Sequence, residues 1–321
     1  METFGINPNA EYAIGVDIGG TKINAGIVDA QGNVLHSVSV KTLAGEAATV
    51  DRILQAIQAV IAEVRAEQPD LPIQGIGVGS AGQVDWERGS IRAASELIPG
   101  YAGTPLRAIL QEKFQLPVIV DNDVNVLALT EKYLGAGQGV EHFLCLALGT
   151  GVGGALVVEG RLVHGTWGGG GELGHMSVDY RGIPCACGGI GCLEQYASGT
   201  SIGKRMREKL ASIGLTDADS AVDSREVFAR WHRGDQVATE LMNETLAALS
   251  AAIASLIHMF NPALIVIGGG VSEAGERFFE QLRNEVAYRA MPAMWEGVRI
   301  EPAYRGNWSG MIGAALQLWE R

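Results

Sequence analysis

Cysteine is scarce in this chain, with four in 321 residues. A disulfide framework is therefore not what holds a molecule of this length together. Positive charge is also in deficit: 24 Lys and Arg face 36 Asp and Glu, a net charge of −12. A protein built to grip nucleic acid or an acidic membrane would usually be basic, so neither partner is expected. The N-terminal "METFGINPNAEYAIGVDIGG" lacks the cationic start and apolar run of a secretory signal. No stretch approaches the roughly 18 continuous apolar residues of a membrane span. No low-complexity linker interrupts the chain. The expectation is a soluble cytoplasmic protein.

Glycine is plentiful, at 44 residues without a collagen-like period, which points to turns and to loops that approach a ligand. Hydrophobic residues at 47% and charged residues at 19% predict a globule, and the length suits two domains. Residues 12–40 read as strands around a turn at Gln31-Gly32-Asn33. Residues 47–67 place Val50, Ile53, Leu54, Ile57, Val60, Ile61 and Val64 at helical spacing. "IQGIGVGSAG" reads as a buried strand into a glycine loop, "TPLRAILQEKF" as a short helix, and "PVIVDNDVN" as a strand leading into the next helix. The opening pattern then returns in "FLCLALGTGVGGALVVEGRLVHG", where Gly154-Ala155-Leu156 and Gly160 echo Gly26-Ile27-Val28 and Gly32. The echo is short, but its order suits an α/β protein whose halves each open with a hairpin. Residues 224–260 read as mostly helical, "FNPALIVIGGGVS" as a strand into three glycines, and helices are predicted at 274–289 and 309–320. The predicted domains are a small N-terminal one over 1–124 and a larger one over 125–308. The final helix, 309–321, is expected to return to the first.

Three of the four cysteines fall within eight positions, just after a histidine: His175, Cys185, Cys187 and Cys192. Thiolates and imidazole are the ligands that tetrahedral Zn²⁺ prefers, and four protein ligands make a closed, structural site. The other reading is three buried cysteines beside a surface histidine. Glu172 stands three before His175, and Glu194 two after Cys192. A pinned loop could turn both carboxylates and the free edge of the His175 ring toward a ligand rich in hydroxyls. Spacing alone leaves open whether the glutamates are merely solvated.

"DIGGTK" (Asp17, Gly19, Gly20, Thr21, Lys22) and "LGTGVGG" (with Thr150 and Gly151) both follow strands. Their main-chain N–H groups could approach phosphate oxygens. Neither is a P-loop, and hairpin strands follow "GTGVGG" where a dinucleotide fingerprint needs a helix. Either alone is a plain turn. Together with the glycines at 268–270 they suggest a nucleotide cradled by three loops, with Asp17 holding Mg²⁺ directly or through water. In "VDNDVN", Asp121, Asn122 and Asp123 end a strand where ligand sites gather. A carboxylate there could take a proton from an attacking hydroxyl. Taken alone, a helix N-cap is the simpler reading.

Together these residues resemble the ROK (repressor, open reading frame, kinase) family of bacterial sugar kinases and regulators. The similarity runs from Ile14 to the last helix, and "ELGHM" through "CACGGIGCLEQYASG" is its most specific part. The resemblance implies an α/β, two-domain, actin-like ATPase (ribonuclease H-like) fold with a structural zinc loop. It implies Asp123 as the catalytic base, Asn122, Glu172, His175 and Glu194 on the sugar, and Asp17 near the metal–phosphate group. "DIGGTK" would be the first phosphate motif, Thr150 and Gly151 would lie against the phosphates, and Gly269 and Gly270 against adenosine. His175, Cys185, Cys187 and Cys192 would ligate zinc. The implied reaction is ATP- and Mg²⁺-dependent phosphorylation of a hexose at its 6-hydroxyl, with domain closure excluding water and a homodimer as the assembly.

One position departs from the family. Before "IPGY", where relatives carry Asn, this chain has Leu97, in a loop near the sugar. Glucose is the expected substrate because the stretch from His175 to Cys185 is short; N-acetylglucosamine, N-acetylmannosamine and a β-glucoside remain alternatives. The regulators of the family carry an added helix-turn-helix domain. With the first strand starting near Tyr12, none is expected here.

Overall fold

The computed structural model describes residues 11–42, 48–94, 98–215, 222–304 and 306–320. Leu97 lies outside them. The chain divides into two compact units. One comprises the described residues up to Gly139, Arg161–Gly170 and the stretch from Tyr304 onward; the other comprises Val140–Gly160 and Gly171–Ala303.

The first unit opens with an antiparallel meander, β1 (Tyr12–Ile18), β2 (Lys22–Asp29) and β3 (Val34–Lys41). The β2–β3 turn is closed by Asp29, whose Oδ1 accepts the N–H groups of Gln31 and Asn33 at 2.9 and 2.8 Å. Helix α1 (Thr49–Glu67) buries Ile53, Ile57, Val60 and Val64, the stripe its spacing predicts. Then come β4 (Ile73–Ser80), a small hairpin of β5 (Gln83–Asp85) and β6 (Ser90–Ala93), α2 (Leu106–Phe114), β7 (Val118–Asn122) and α3 (Asp123–Leu134). The sheet order is β3-β2-β1-β4-β7, with β4 parallel to both β1 and β7. Gly79 of β4 is in register with Asp17 on one side and Asp121 on the other. The fold thus gathers two sequence-distant acidic motifs at the carboxyl ends of three parallel strands, where α/β sheets place their ligands.

The second unit repeats the plan. Strands β8 (Phe143–Leu148) and β9 (Val152–Val158) form an antiparallel hairpin, and the short β10 (Arg161–Leu162) that comes next in the chain falls in the segment grouped with the first unit. After the cysteine block come α4 (Glu194–Ala197), α5 (Gly199–Ser212), α6 (Ser224–His232) and α7 (Gln236–Phe260). Strand β11 (Leu264–Gly268), α8 (Glu276–Arg289), α9 (Pro292–Trp295) and β12 (Arg299–Pro302) complete it. The order β10-β9-β8-β11-β12 matches that of the first sheet strand for strand. The faint glycine echo between the halves is the sequence trace of this repeat. Side-chain caps start three of the helices: Ser198 for α5, Asp223 for α6 and Asp235 for α7. Helix α7 is long and apolar enough by length and composition to cross a membrane, but most of its apolar window is buried in the fold. The sequence reading did not anticipate α5 or the β5–β6 hairpin.

The last helix, α10 (Ser309–Leu316), packs within the first unit. Ile312, Ala315 and Leu316 form an apolar cluster with Ala13 and Val28. The helix lies directly on the strands. A Cβ added to Gly77 of β4 would stand 1.7 Å from the Ala314 carbonyl oxygen. Gln317 Nε2 donates to the Val78 carbonyl at 3.1 Å, satisfying a buried amide across the same seam. Gly77→Ala must push α10 off the sheet. We expect a loss of about 3 kcal/mol or more, read by chemical denaturation, against well under 1 kcal/mol for Ala at the exposed Gln55. Equal stability of the two variants would disprove this seam.

Candidate functional site

In the first unit the site residues sit at strand ends. Asp17 is the penultimate residue of β1, and its Oδ2 accepts the Asn24 amide at 3.2 Å. Burial pushes its carboxyl above the ordinary carboxylate range, while the Asn24 bond and the nearby Lys22 charge pull it back. A carboxyl raised by burial at a strand end suits a divalent cation, which would supply the missing compensation. The following turn, Gly19 to Lys22, is closed by a 3.0 Å bond from Gly19 N–H to the Lys22 carbonyl, and Thr42 Oγ1 donates to the Gly19 carbonyl at 2.7 Å. Thr21 and Lys22 are exposed.

The "DNDVN" segment resolves into distinct tasks. Asn122 is the N-cap of α3: its Oδ1 accepts from Val124 N–H at 2.8 Å, and its Nδ2 donates to the Gly82 carbonyl at 3.0 Å. The cap reading therefore holds for Asn122. Asp121 is 6% exposed and has three donors. Its Oδ1 accepts from Asn122 N–H (2.7 Å) and Asn125 Nδ2 (2.8 Å), and its Oδ2 faces His164 Nε2 at 2.7 Å. Asp123, the first residue of α3, is half-buried, and its Oδ1 accepts from Val124 N–H at 3.0 Å. Of the two aspartates, Asp123 is the less buried.

In the second unit the three elements named from sequence converge. Gly149 N–H closes on the Gly151 carbonyl (2.9 Å), and Gly199 N–H on the Gly149 carbonyl (2.8 Å), shaping the loop that carries the exposed Thr150. Gly269, with φ of +81°, lies against Leu148: a Cβ there would stand 2.5 Å from its carbonyl oxygen. The loops after β8 and β11 are therefore neighbours. Gly174 lies as close to the other end of the turn, its notional Cβ 1.9 Å from the Val152 carbonyl oxygen. Glu194 Oε2 accepts the Val152 N–H at 2.9 Å. Nothing in the spacing of Glu194 signalled this bond to a strand 42 residues earlier.

The cysteine block folds onto itself. Leu193 N–H donates to the Met176 carbonyl (2.9 Å) and Val178 N–H to the Gly191 carbonyl (2.8 Å), placing His175 beside Cys192. The ligand atoms of His175, Cys185, Cys187 and Cys192 all lie within 4.8 Å of one another. Cys187 and Cys192 sulfurs are 3.6 Å apart, and Cys185 Sγ is 3.8 Å from His175 Nδ1. A tetrahedral ion with Zn–S bonds of about 2.3 Å separates its sulfurs by roughly 3.8 Å, so the cluster fits structural zinc. The Gly189 N–H lowers Cys187 below the usual thiol range, while burial pushes Cys192 up to about 12. Outside the cluster, Gln195 Nε2 donates to Cys185 Sγ at 3.5 Å, and His175 turns its Nε2 toward Glu172, 3.9 Å away. Both support the ligand set from outside, as such partners do in metal sites.

A family model described as the ROK family matches residues 13–321. The chain is 35% identical over 316 residues to a glucokinase of Thermotoga maritima, covering 96% of this chain and 97% of that one. Among solved structures it resembles a ROK family glucokinase from Streptomyces griseus in complex with glucose and AMPPNP, at a TM-score of 0.81 and 32% identity, covering 95% and 98% of the two chains. It resembles a ROK hexokinase from Thermus thermophilus at a TM-score of 0.81 and 35% identity, covering 96% and 98%.

Two outcomes follow from the geometry. Metal analysis of the purified protein should find close to one zinc per chain, and Cys187→Ala should lose it; zinc-free wild-type protein would refute the cluster. Asp17→Asn should raise the melting temperature near neutral pH. Folding raises the Asp17 pKa, so the ionised form costs stability once pH exceeds the unfolded value, and the cost grows until pH passes the folded value. The advantage of the variant should therefore vanish below about pH 4. An advantage equal at all pH values would show that the Asp17 charge is not what costs stability.

Proposed function

The chain belongs to the ROK family, and on that premise we propose that it is an ATP-dependent glucokinase, moving the γ-phosphate of ATP to the 6-hydroxyl of glucose. The observation that carries the reading is the single stretch of main chain at Val152. It joins the glycine turn after β8 to the block that holds Glu172, His175, the three cysteines and Glu194.

In this proposal Asp123 accepts the proton of the 6-hydroxyl as that oxygen attacks phosphorus. Its place at the first position of α3 also keeps its charge favourable beside the helix N-terminus. Asp121 is a poorer base because its oxygens already serve three donors. Asn122 caps α3 through its oxygen and donates one amide hydrogen to Gly82, leaving the second for a sugar hydroxyl. Glu172, Glu194 and the Nε2 edge of His175 bind further hydroxyls, each fixed in direction by the folded cysteine block.

Thr150 and Gly151 meet the phosphates from one loop, Gly19, Gly20, Thr21 and Lys22 from the other, and Gly269 and Gly270 lie along the adenosine. Main-chain N–H groups serve here because they need no reorganisation as charge develops on the transferring group. Mg²⁺, when bound, would neutralise phosphate charge, and Asp17 is the carboxylate suited to hold it. Water is chemically close to the sugar hydroxyl, so a preference for sugar must come from orienting contacts made by the bound sugar. The assembly we propose is a homodimer and the location cytoplasmic, both resting on the family resemblance.

ADP release should be measured with glucose, mannose, fructose, allose, N-acetylglucosamine, N-acetylmannosamine and a β-glucoside. Glucose should show the highest kcat/KM; a higher value for another sugar would replace glucose, and no turnover with any would reject the kinase reading. Asp123→Ala should bind glucose by calorimetry yet lose about 10³-fold in kcat. Turnover within a few-fold of wild type would remove Asp123 as the base.

A further inference from the structure

His164 has no part in the phosphate, sugar or metal groups described above, yet it is tied to the strand end that carries Asp123. It lies in the Arg161–Gly170 segment, which belongs to the first unit. Its main chain is anchored, with the N–H groups of Gly168 and Gly170 donating to its carbonyl at 3.1 and 2.9 Å. One face of its ring stacks on Trp86, with centroids 4.4 Å apart and planes 20° from parallel. Trp86 is held in turn by Arg107, whose Nη2 donates to the Trp86 carbonyl at 2.7 Å. The ring has little freedom to turn, and its Nε2 stands 2.7 Å from Asp121 Oδ2. An ionised carboxylate can only accept, so Nε2 carries the hydrogen.

Asp121 passes that constraint on. Its second oxygen accepts both the Asn122 N–H and the Asn125 side-chain amide, at 2.7 and 2.8 Å. These two residues bracket Asp123, and Asn125 is 1% exposed. The carboxylate is therefore a buried bracket across the turn from β7 into α3, with His164 as its outer support. Remove the imidazole donor and the 6%-exposed carboxylate is left one partner short. It must rotate toward another donor or admit water, and both inner bonds move with it. A shift of about 1 Å at a reacting group can cost on the order of 100-fold in rate.

We infer that His164 is a positioning residue for catalysis: through Asp121 it sets the geometry of the Asn122–Asp123 turn. The inference rests on the reading of Asp123 as the base. It predicts an effect on kcat rather than on substrate affinity, and one that follows the position of a donor N–H rather than the presence of a ring.

Two substitutions separate those possibilities. His164→Gln places an amide N–H about where Nε2 now stands. His164→Asn carries the same amide one methylene short of Asp121. In steady-state assays with glucose and ATP, the Asn variant should lose about 10- to 100-fold in kcat, with both KM values within about 2-fold of wild type. The Gln variant should stay within about 3-fold of wild type in kcat. Equal losses in the two variants, no loss in either, or a loss carried by KM would overturn the inference. If the Asn variant does not fold, Gln alone decides, because a stacking or packing role for the ring predicts a large loss there too. Asp123→Asn, assayed in parallel, keeps the two readings apart. If it turns over normally, the base assignment fails, while the Gln–Asn contrast still decides whether His164 acts through its donor.

Discussion

Val152 is the point on which the second unit depends. Its N–H is bound by the Glu194 carboxylate, and its carbonyl lies under Gly174 at a distance no side chain would permit. Gly174 immediately precedes His175, and Glu194 follows Cys192 by two residues. The two contacts on Val152 therefore issue from opposite ends of the metal cluster. A cation that draws His175 and Cys192 together also closes this clamp on the first residue after the glycine turn. With a cation bound, the cysteines would thereby also constrain where the backbone of this glycine turn can lie. Four liganding atoms within 4.8 Å of one another are what a bound cation would hold together.

The two sheets share one strand order and differ in what their strand ends display. The first collects carboxylates: Asp17 and Asp121 flank Gly79, and Asp123 follows at once. The second collects glycines, at 149–151 and 268–270. These are complementary means of handling a phosphoryl group. Carboxylates hold a cation or take a proton, while exposed main-chain N–H groups meet oxyanions directly. Holding acids at buried strand ends carries a cost, because burial disfavours the charged form. The first unit answers it differently for each residue. Asp121 receives three donors, Asp123 sits at a helix N-terminus, and Asp17 keeps a raised pKa that a cation would relieve.

The same division explains why α10 returns to the first sheet. Glycine at Gly77 removes the side chain that would otherwise separate helix from strand, so the helix backbone rests on β4. The helix also comes close to Asp17: a Cβ on Gly310 would stand 2.8 Å from its carboxyl. Its apolar cluster with Ala13 and Val28 supplies the burial that holds the helix there.

Much of this was legible in the sequence. The order of strands and helices followed from alternation, helical spacing and glycine punctuation, as in β1, β8, α1 and α7. The metal cluster followed from ligand chemistry, since three cysteines and a histidine in 18 residues have few other uses in such a chain. Local periodicity did not disclose α5, whose buried Ile202, Met206 and Leu210 are spaced thinly among charged residues. Nor could it assign the tasks within "DNDVN". Asn122 and the two aspartates differ little as letters; they differ because Asn122 caps α3 and Asp121 is enclosed by Asn125 and His164. Those partners depend on where a segment 43 residues later comes to rest. The sequence by itself determined which chemistries the chain could perform, because residue type sets donors, charges and ligands. Only the tertiary structure decided which carboxylate is enclosed, which is half-buried, and which histidine supports the first, because burial and hydrogen bonding depend on neighbours that sequence distance does not reveal.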